Sequence, residues 1–511
     1  MHARTGEAHT LRVLILGAGP TGLGAGYRLR ELGHDAFTIC ERGARVGGLA
    51  SSEVDARGFT WDIGGHVMFS HYDYYDRVFE RLMGDEFTLN SRESWVRLAG
   101  RWVPYPFQNN IRYLPPEIGL ECLLGLIRAQ AGKDVKAALE SATNFGELID
   151  QVFGDGIATH FMRPYNFKVW AHPVEALSKS WIGERVAVVD YERAIRNMVL
   201  GADDFGWGPN NRFKFPLHGG TGGFYDRFEP ILRGHLRFGR DCVRIDAGTR
   251  VAHFADGSSE RYDALLSTMP LDILCGRVVV GVPDRVRRAA LRLRHSSGHM
   301  VGVGIRRPCP STRSWMYFPG DECPFYRVTY LSNYSPHMTP DPRSHYSLLC
   351  ETSSSDLKPV DTRSIVEETI RGLEAVELLQ PGERDDIVSV WHRDVEYSYP
   401  TPTVDRDDIL SEVIPWLEGV GILSRGRFGM WKYEVANTDH SLMQGVEAVD
   451  RLLSGTDETT IGMRYKVTED GRKAGEHVRP ARAGSGEKRL VEPKVNVAQE
   501  ELAIRLGREV D

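Results

Sequence analysis

Val13-Leu14-Ile15-Leu16-Gly17-Ala18-Gly19-Pro20-Thr21-Gly22 is an apolar run that breaks into Gly-x-Gly-x-x-Gly. Residues 11–16 read as a short buried strand. Leu23, Tyr27, Leu29 and Leu32 then fall on a helical pattern that Gly33 stops. Residues 36–40 read as a second strand ending at Glu41, so the chain opens with a strand–turn–helix–strand unit. Each glycine has a physical task. Gly17 permits the tight turn, Gly19 lets a pyrophosphate approach the backbone, and Gly22 lets helix and strand pack closely. Thr21 sits in the first helical turn, where free amides and the positive dipole end favour phosphate. Glu41 lies 19 residues after Gly22, where a carboxylate can accept from a ribose hydroxyl.

Two further glycine clusters extend this unit. Gly47-Gly48-Leu49 follows soon after the ribose acid, and Gly219-Gly220-Thr221-Gly222-Gly223 comes later. Both resemble elements of flavoproteins of the amine-oxidase and glutathione-reductase-like class, in which the first loop passes the ribityl and pyrophosphate of FAD. No second Gly-x-Gly-x-x-Gly is found, so a nicotinamide cofactor (NADPH or NADH) is expected only as a transient reductant.

The rest of the chain bounds the alternatives. Its 511 residues suggest two to four domains at roughly 150 residues each. Hydrophobic residues are 41% and charged residues 26%, a globular mixture. A net charge of −7 argues against a general nucleic-acid binder. The seven scattered cysteines include no Cys-x-x-Cys, which argues against a disulfide framework or a cysteine zinc site and fits a reducing compartment. Residues 1–10 are polar with no apolar leader core, and no run of about 18 apolar residues occurs. A soluble, cytoplasmic protein without membrane contact is expected.

Pro115-Pro116 opens an apolar helical stretch, and Asn144 with Glu147 three residues later reads as a capping box for a helix over 145–153. Short strands are expected at 243–245, 251–255 and 264–267, and again at 300–305, 316–318, 326–331 and 347–351. Residues 464–493 are charged and apolar-poor, which reads as a mobile tail, with a short helix near 497–506.

Several longer stretches share one family's pattern. They are Gly64-Gly65-His66-Val67-Met68-Phe69-Ser70-His71, Trp102-Val103-Pro104-Tyr105-Pro106-Phe107-Gln108-Asn109-Asn110, and Phe161-Met162-Arg163-Pro164-Tyr165-Asn166-Phe167-Lys168-Val169-Trp170-Ala171. Gly183-Glu184-Arg185-Val186-Ala187, Cys323-Pro324-Phe325-Tyr326-Arg327, Ser332-Asn333-Tyr334-Ser335-Pro336, Tyr399-Pro400-Thr401-Pro402-Thr403 and Ser424-Arg425-Gly426-Arg427-Phe428-Gly429 follow in order. Over residues 11–453 the chain resembles the UDP-galactopyranose mutases, in the long form of fungi and trypanosomatids.

The resemblance implies an α/β flavoprotein: a Rossmann-like, glutathione-reductase-like FAD domain, an inserted helical domain and a mixed β-sheet substrate domain. The expected segments are 11–114, 205–295 and 411–461 for FAD, 115–204 for the helical flap domain, 296–410 for the sheet, and 462–511 for the tail. It implies an isomerase that interconverts UDP-galactopyranose and UDP-galactofuranose through a covalent flavin N5–sugar adduct, with reduced FAD and no net redox change. Arg185, Arg327, His66 and Asn210 match the catalytic positions, with the two arginines on the diphosphate and the His66 loop acting through its backbone. Tyr105, Phe107, Gln108, Phe161, Asn166 and Trp170 match the uridine side. Trp315 and Tyr317 match the galactose pocket, and Tyr334, Tyr399, Tyr433 and Asn437 match contacts to phosphate or sugar. Gly64, Gly65, Val243, Arg427, Asn437, Thr438 and Ser441 match flavin contacts, beside Gly17, Gly19, Thr21, Gly22, Glu41, Gly47, Gly48 and Leu49. Assembly into a homo-oligomer stays open.

This chain departs from the family pattern at Ala436, where glycine is expected, and at Tyr330, Phe224-Tyr225, Met430 and Lys432. Tyr330 reads either as an exposed strand residue or as a determinant of substrate or reductant preference. Without the resemblance, Trp170 and Trp315 would more often be core residues. A metal site from His66, His71 and Asp62 is set aside, because the glycine-rich loop already has a flavin reading, and no metal is expected. The competing functions are an FAD-dependent mutase of another nucleotide sugar and an FAD-dependent amine-oxidase-like oxidoreductase.

Overall fold

The computed structural model describes residues 11–183, 185–204, 208 and 211–462, and the backbone of two paired strands, Tyr465–Val467 and Lys473–Gly475. Apart from Gly462 and those strands, the expected tail and its helix lie outside the described residues. The described residues divide into two compact units, one within 11–50, 225–293 and 406–462, the other within 51–224 and 294–405.

In the first unit the opening motif builds a parallel sheet. Its strand order is Ile422–Ser424, Ala264–Ser267, Val13–Leu16, Phe37–Cys40 and Leu236–Arg237. Every residue of Val13–Leu16 is buried, as an apolar strand covered on both faces must be. Helix Pro20–Glu31 follows the glycine turn and packs on helix Thr438–Ser454. That contact is closer than side chains allow: a Cβ on Gly445 would lie 1.9 Å from the Thr21 carbonyl oxygen. Strands Cys242–Asp246, Val251–Phe254 and Ser259–Arg261 form a separate antiparallel sheet.

The second unit is built on a seven-stranded sheet in the order Ile387–Pro400, His295–Ile305, Tyr346–Ser354, Arg327–Tyr330, Trp315–Tyr317, Ser94–Leu98 and Arg101–Pro104. All neighbours are antiparallel except Trp315–Tyr317 with Ser94–Leu98. Alternation along the strands makes two different faces. Val301, Val303, Val328, Tyr330, Leu348 and Cys350 pack with Ile365, Ile370 and Leu373 of helix Ile365–Ala375. Met300, Trp315 and Leu349 point the other way and pack with Phe59 and Trp61. The rings of Trp61 and Phe59 lie over Gly302 and Gly304, where an added Cβ would come within 2.5 and 2.7 Å of them.

Tyr330 therefore corrects the sequence reading. It is 3% exposed and belongs to the helix-covered core, so neither a solvent position nor a role in substrate choice fits it. The Asn144 cap forms, with its side chain accepting from the Glu147 amide at 2.9 Å. The return half of the box shifts by one residue, because Glu147 accepts from Thr143 N at 2.8 Å rather than from Asn144. In helix Phe145–Ile157 the regular backbone breaks at Gly154, with φ at 72°. There the chain crosses helix Pro116–Gln130 so closely that a Cβ on Gly154 would lie 2.1 Å from the Gly125 carbonyl oxygen.

Candidate functional site

In the first unit the strand Val13–Leu16 ends at Gly17, whose φ of +103° is reserved in practice for glycine. A Cβ on Gly22 would sit 1.9 Å from the Gly17 carbonyl oxygen, so the helix starts hard against the turn. Helix Pro20–Glu31 begins without a side-chain cap, which leaves its first-turn amides to an outside acceptor. Gly19 and Gly48 face each other through bare Cα atoms: a Cβ on Gly48 would lie 3.2 Å from the Gly19 Cα. Gly47 N donates to Ala18 O at 2.9 Å and fastens the second loop to the first. Leu49 follows in the half-buried turn beyond. Glu41 accepts from Ala18 N at 2.8 Å and from Gly43 N at 2.6 Å, which orients its carboxylate at the end of the second strand. Uncapped amides beside a side-chain-free cradle are what a pyrophosphate needs, so these residues fit the dinucleotide of FAD.

Elsewhere in this unit Asn437 begins helix Thr438–Ser454, with Thr438 and Ser441 in its first turn. Arg427 donates from Nη1 to Ala436 O at 3.1 Å and lies 5.9 Å from the Tyr433 ring. Ala436 has φ of −113°, an ordinary value for alanine, so the missing glycine costs the backbone nothing there. Val243 is exposed on strand Cys242–Asp246.

The second unit gathers the arginine chemistry. Arg327 donates from Nε to Glu351 Oε1 at 2.7 Å and from Nη2 to Glu351 Oε2 at 2.8 Å. The same carboxylate accepts from Gly65 N at 3.1 Å and from Tyr326 OH at 3.0 Å. Glu351 is 1% exposed. Burial alone would raise its pKa, but Arg327 and these donors hold it below the usual carboxylate range. Burial likewise opposes the Arg327 charge, and Glu351 outweighs it, so the guanidinium stays protonated. Among the described residues Arg327 Nη1 has no hydrogen-bond partner.

Aromatic side chains surround this arginine. Tyr317 lies 5.3 Å from Tyr105 and 5.5 Å from Tyr165, and its hydroxyl meets Trp315 Nε1. Phe107, Phe161 and Tyr165 stack in succession at 4.4 and 5.3 Å. Tyr399 lies 5.9 Å from Trp170. Burial pushes the Tyr165, Tyr326 and Tyr334 hydroxyls well above their ordinary pKa, so all three are proton donors at neutral pH. The Tyr334 hydroxyl is buried and has no partner among the described residues. Gln108 spends its amide donor on Ala187 O at 2.7 Å and Asn166 on Met162 O at 2.7 Å. The Gln108 amide oxygen is left buried without a partner among the described residues. Arg185 is half-buried, its backbone N bound to Ile182 O, and Asn210 lies outside the described residues.

The Gly64-Gly65-His66 loop is held from both sides. Gly64 N donates to Asp62 O and His66 N to Gly64 O, both at 2.9 Å, and Gly65 reaches Glu351. Asp62 is fully buried and accepts from Ser52 Oγ at 2.5 Å, Thr221 Oγ1 at 2.8 Å and Thr221 N at 3.1 Å. It thus ties the Gly219–Gly223 turn to the base of the His66 loop, and burial pushes its pKa up to about 6 despite those donors.

Sequence reading missed Glu351, Tyr165 and Tyr326 as site residues, and it named Asp62 only for the metal site it set aside. Glu351 had a visible signal, a lone acid closing the run Leu348-Leu349-Cys350 on a strand. Tyr165 and Tyr326 stood inside quoted motifs.

Comparison with known proteins decides the assignment. The chain matches the flavin containing amine oxidoreductase family over residues 20–452. It superposes on the crystal structure of a reduced UDP-galactopyranose mutase with a TM-score of 0.85 and 44% identity, covering 88% of this chain and 96% of that one. The chain belongs to the UDP-galactopyranose mutase family. More distant structures share the mutase fold alone. One is a candidate protoporphyrinogen oxidase from an Exiguobacterium species (16% identity, TM-score 0.65, 87% of this chain and 98% of that one). Another is a putrescine oxidase bound to putrescine (14% identity, TM-score 0.61, 87% and 99%). Among the described residues of this mutase-family chain, no helix is long and apolar enough to cross a membrane.

Proposed function

We propose that the protein is a flavin-dependent UDP-galactopyranose mutase, an isomerase that interconverts UDP-galactopyranose and UDP-galactofuranose. The observation that carries this reading is the 44% identity to a reduced mutase across 88% of the chain. We read the parallel sheet of the first unit as a Rossmann-like, glutathione-reductase-like FAD domain. The first-turn amides of helix Pro20–Glu31 take the pyrophosphate, and Glu41 takes the ribose. Bound in its reduced form, FAD supplies the nucleophilic ring nitrogen for the anomeric carbon, so no side-chain nucleophile is required.

The chain's own residues then hold the leaving group. Arg327, braced by Glu351, turns Nη1 to the diphosphate, and Arg185 is its second cation. Tyr334 and Tyr399 donate hydroxyls to phosphate or sugar, and burial keeps Tyr334 protonated for that task. The stacked rings of Phe107, Phe161 and Tyr165 form the aromatic wall on the uracil side. The free amide oxygens of Gln108 and Asn166 suit its N3–H, because their amide donors are already committed to the backbone. Trp315 and Tyr317 wall the sugar, and NADPH or NADH is the reductant. The seven cysteines are all free, which suits a cytoplasmic setting.

Product analysis with UDP-galactofuranose under dithionite tests the reading. UDP-galactopyranose should form without stoichiometric consumption of reductant or dioxygen, and its absence would overturn the assignment. A panel of nucleotide sugars with pre-reduced cofactor checks the choice of sugar.

A further inference from the structure

We propose that His299, His392 and Asp394 form a binding site for a divalent transition-metal cation, Zn2+ being the ion their chemistry suits. The site follows from strand register. His299 lies directly opposite Asp394 on the neighbouring edge strand, and His392 is two residues before Asp394, hence on the same face. On the other side of His299, Thr352 is its register partner and Ser354 stands two residues further on, again on that face. Five polar residues on three adjacent strands therefore share one face beyond the end of the helix-covered core. Glu351 sits on the opposite face of the sheet, since it is odd-numbered steps from Thr352 and Ser354, so this cluster is separate from the arginine site.

The distances and partners match a metal centre. His299 Nδ1 lies 2.6 Å from Asp394 Oδ1, and His392 Nε2 lies 2.9 Å from the same oxygen. One ligand atom from each residue falls within 4.8 Å of the others. A tetrahedral zinc with bonds of about 2.0–2.2 Å spaces its ligand atoms about 3.4 Å apart, so a spread of less than about 1 Å admits the ion. Asp394 is 52% exposed and free to make that adjustment. The other nitrogen of His299, Nε2, is fixed by Ser354 Oγ at 2.8 Å, the outer hydrogen bond that metal-bound imidazoles characteristically make.

A second observation points to a missing partner. His392 Nε2 is a buried atom and among the described residues makes no hydrogen bond, although the Asp394 oxygen is close by. The two atoms are close but not placed to share a proton. A cation between them would satisfy both. Two neutral imidazoles and one carboxylate give a borderline donor set with net charge −1, suited to Zn2+ rather than to Ca2+ or Mg2+. Three protein ligands leave the fourth position to water, and solvent reaches it past Asp394.

The test is zinc binding by the full-length protein after removal of adventitious metal with a chelator, followed by titration against a chromophoric competitor. The wild type should bind one more equivalent of Zn2+ than Asp394→Asn or His392→Gln, and Ser354→Ala should weaken that equivalent about 10–100-fold. Co2+ in place of zinc should give the visible absorption of a tetrahedral ion in the wild type only. Zinc should also raise the wild-type melting temperature more than that of either variant. The exposed Asp394 position keeps the fold secure against its replacement. Equal stoichiometry and equal thermal response in wild type and both variants would overturn the proposal, and so would a Co2+ spectrum unchanged by them.

Discussion

Glu351 grips Arg327 at two points, 2.7 Å from Nε and 2.8 Å from Nη2, and by doing so directs the one remaining arm of the guanidinium, Nη1, away from itself. Because Gly65 N also donates to this carboxylate, a single acid fixes the arginine and the glycine loop together. Glu351→Gln should keep one acceptor but lose the charge that balances a buried arginine. We expect kcat to fall about 100-fold, equivalent to about 2.7 kcal/mol, with FAD retained. Steady-state kinetics beside the flavin spectrum checks this, and an unchanged kcat would remove Glu351 from the argument.

Arg327→Ala should give a yellow protein with most of its turnover gone. Arg327→Lys should be impaired as well, because a single ammonium cannot both satisfy the two Glu351 oxygens and reach an anion. Wild-type kcat and KM in either variant would contradict the diphosphate role.

Gly19 and Gly22 should respond differently to the same methyl group. A Cβ on Gly19 meets nothing closer than 4.0 Å, so Gly19→Ala should fold normally and bind FAD poorly. A Cβ on Gly22 meets a backbone oxygen at 1.9 Å, so Gly22→Ala should cost about 3 kcal/mol of stability. Melting of the apoprotein together with FAD titration separates the two.

Tyr334→Phe removes a buried hydroxyl that has no partner among the described residues. Relieving that unmet group should raise stability by about 1 kcal/mol while turnover drops. Opposite signs in melting temperature and kcat are the signature of a hydroxyl kept for substrate. A fall in both would make Tyr334 a structural residue.

Asp62 gives a pH dependence. Its folded pKa of about 6 stands above the ordinary 3.8, so the folded state holds a proton that the unfolded chain releases. The stability this adds is complete below about pH 4 and is lost as pH rises through about 6, on the order of 3 kcal/mol in all. Asp62→Asn should flatten that slope in a series of melting temperatures. A parallel slope in wild type and variant would show that another group carries it.

The opening nucleotide unit was legible because its determinants are local. Strand Val13–Leu16, the glycine turn, helix Pro20–Glu31 and strand Phe37–Cys40 follow one another between Val13 and Cys40. The long edge strand Ile387–Pro400 was not, because only one side of it meets the core and Trp391-His392-Arg393-Asp394 carries no apolar run. Tyr330 was misread for a related reason: propensity says strand, and only the sheet's cover by helix Ile365–Ala375 says which side is wet. Glu351 and Asp62 escaped because their partners, Arg327 and Thr221, are remote in sequence. A buried acid declares itself only once the donors around it are known.

The bare positions Gly302 and Gly304 carry a consequence for how this sequence can drift. The Trp61 ring rests where a side chain at 302 would stand, and the next residue, Asp62, anchors both glycine loops. A lone methyl arriving in mid-sheet would shove the indole, and the indole would drag the anchor with it. The least forgiving address in this half of the molecule is thus one that touches no ligand. A screen for silenced catalysts would find lesions there that no inspection of binding contacts would foresee.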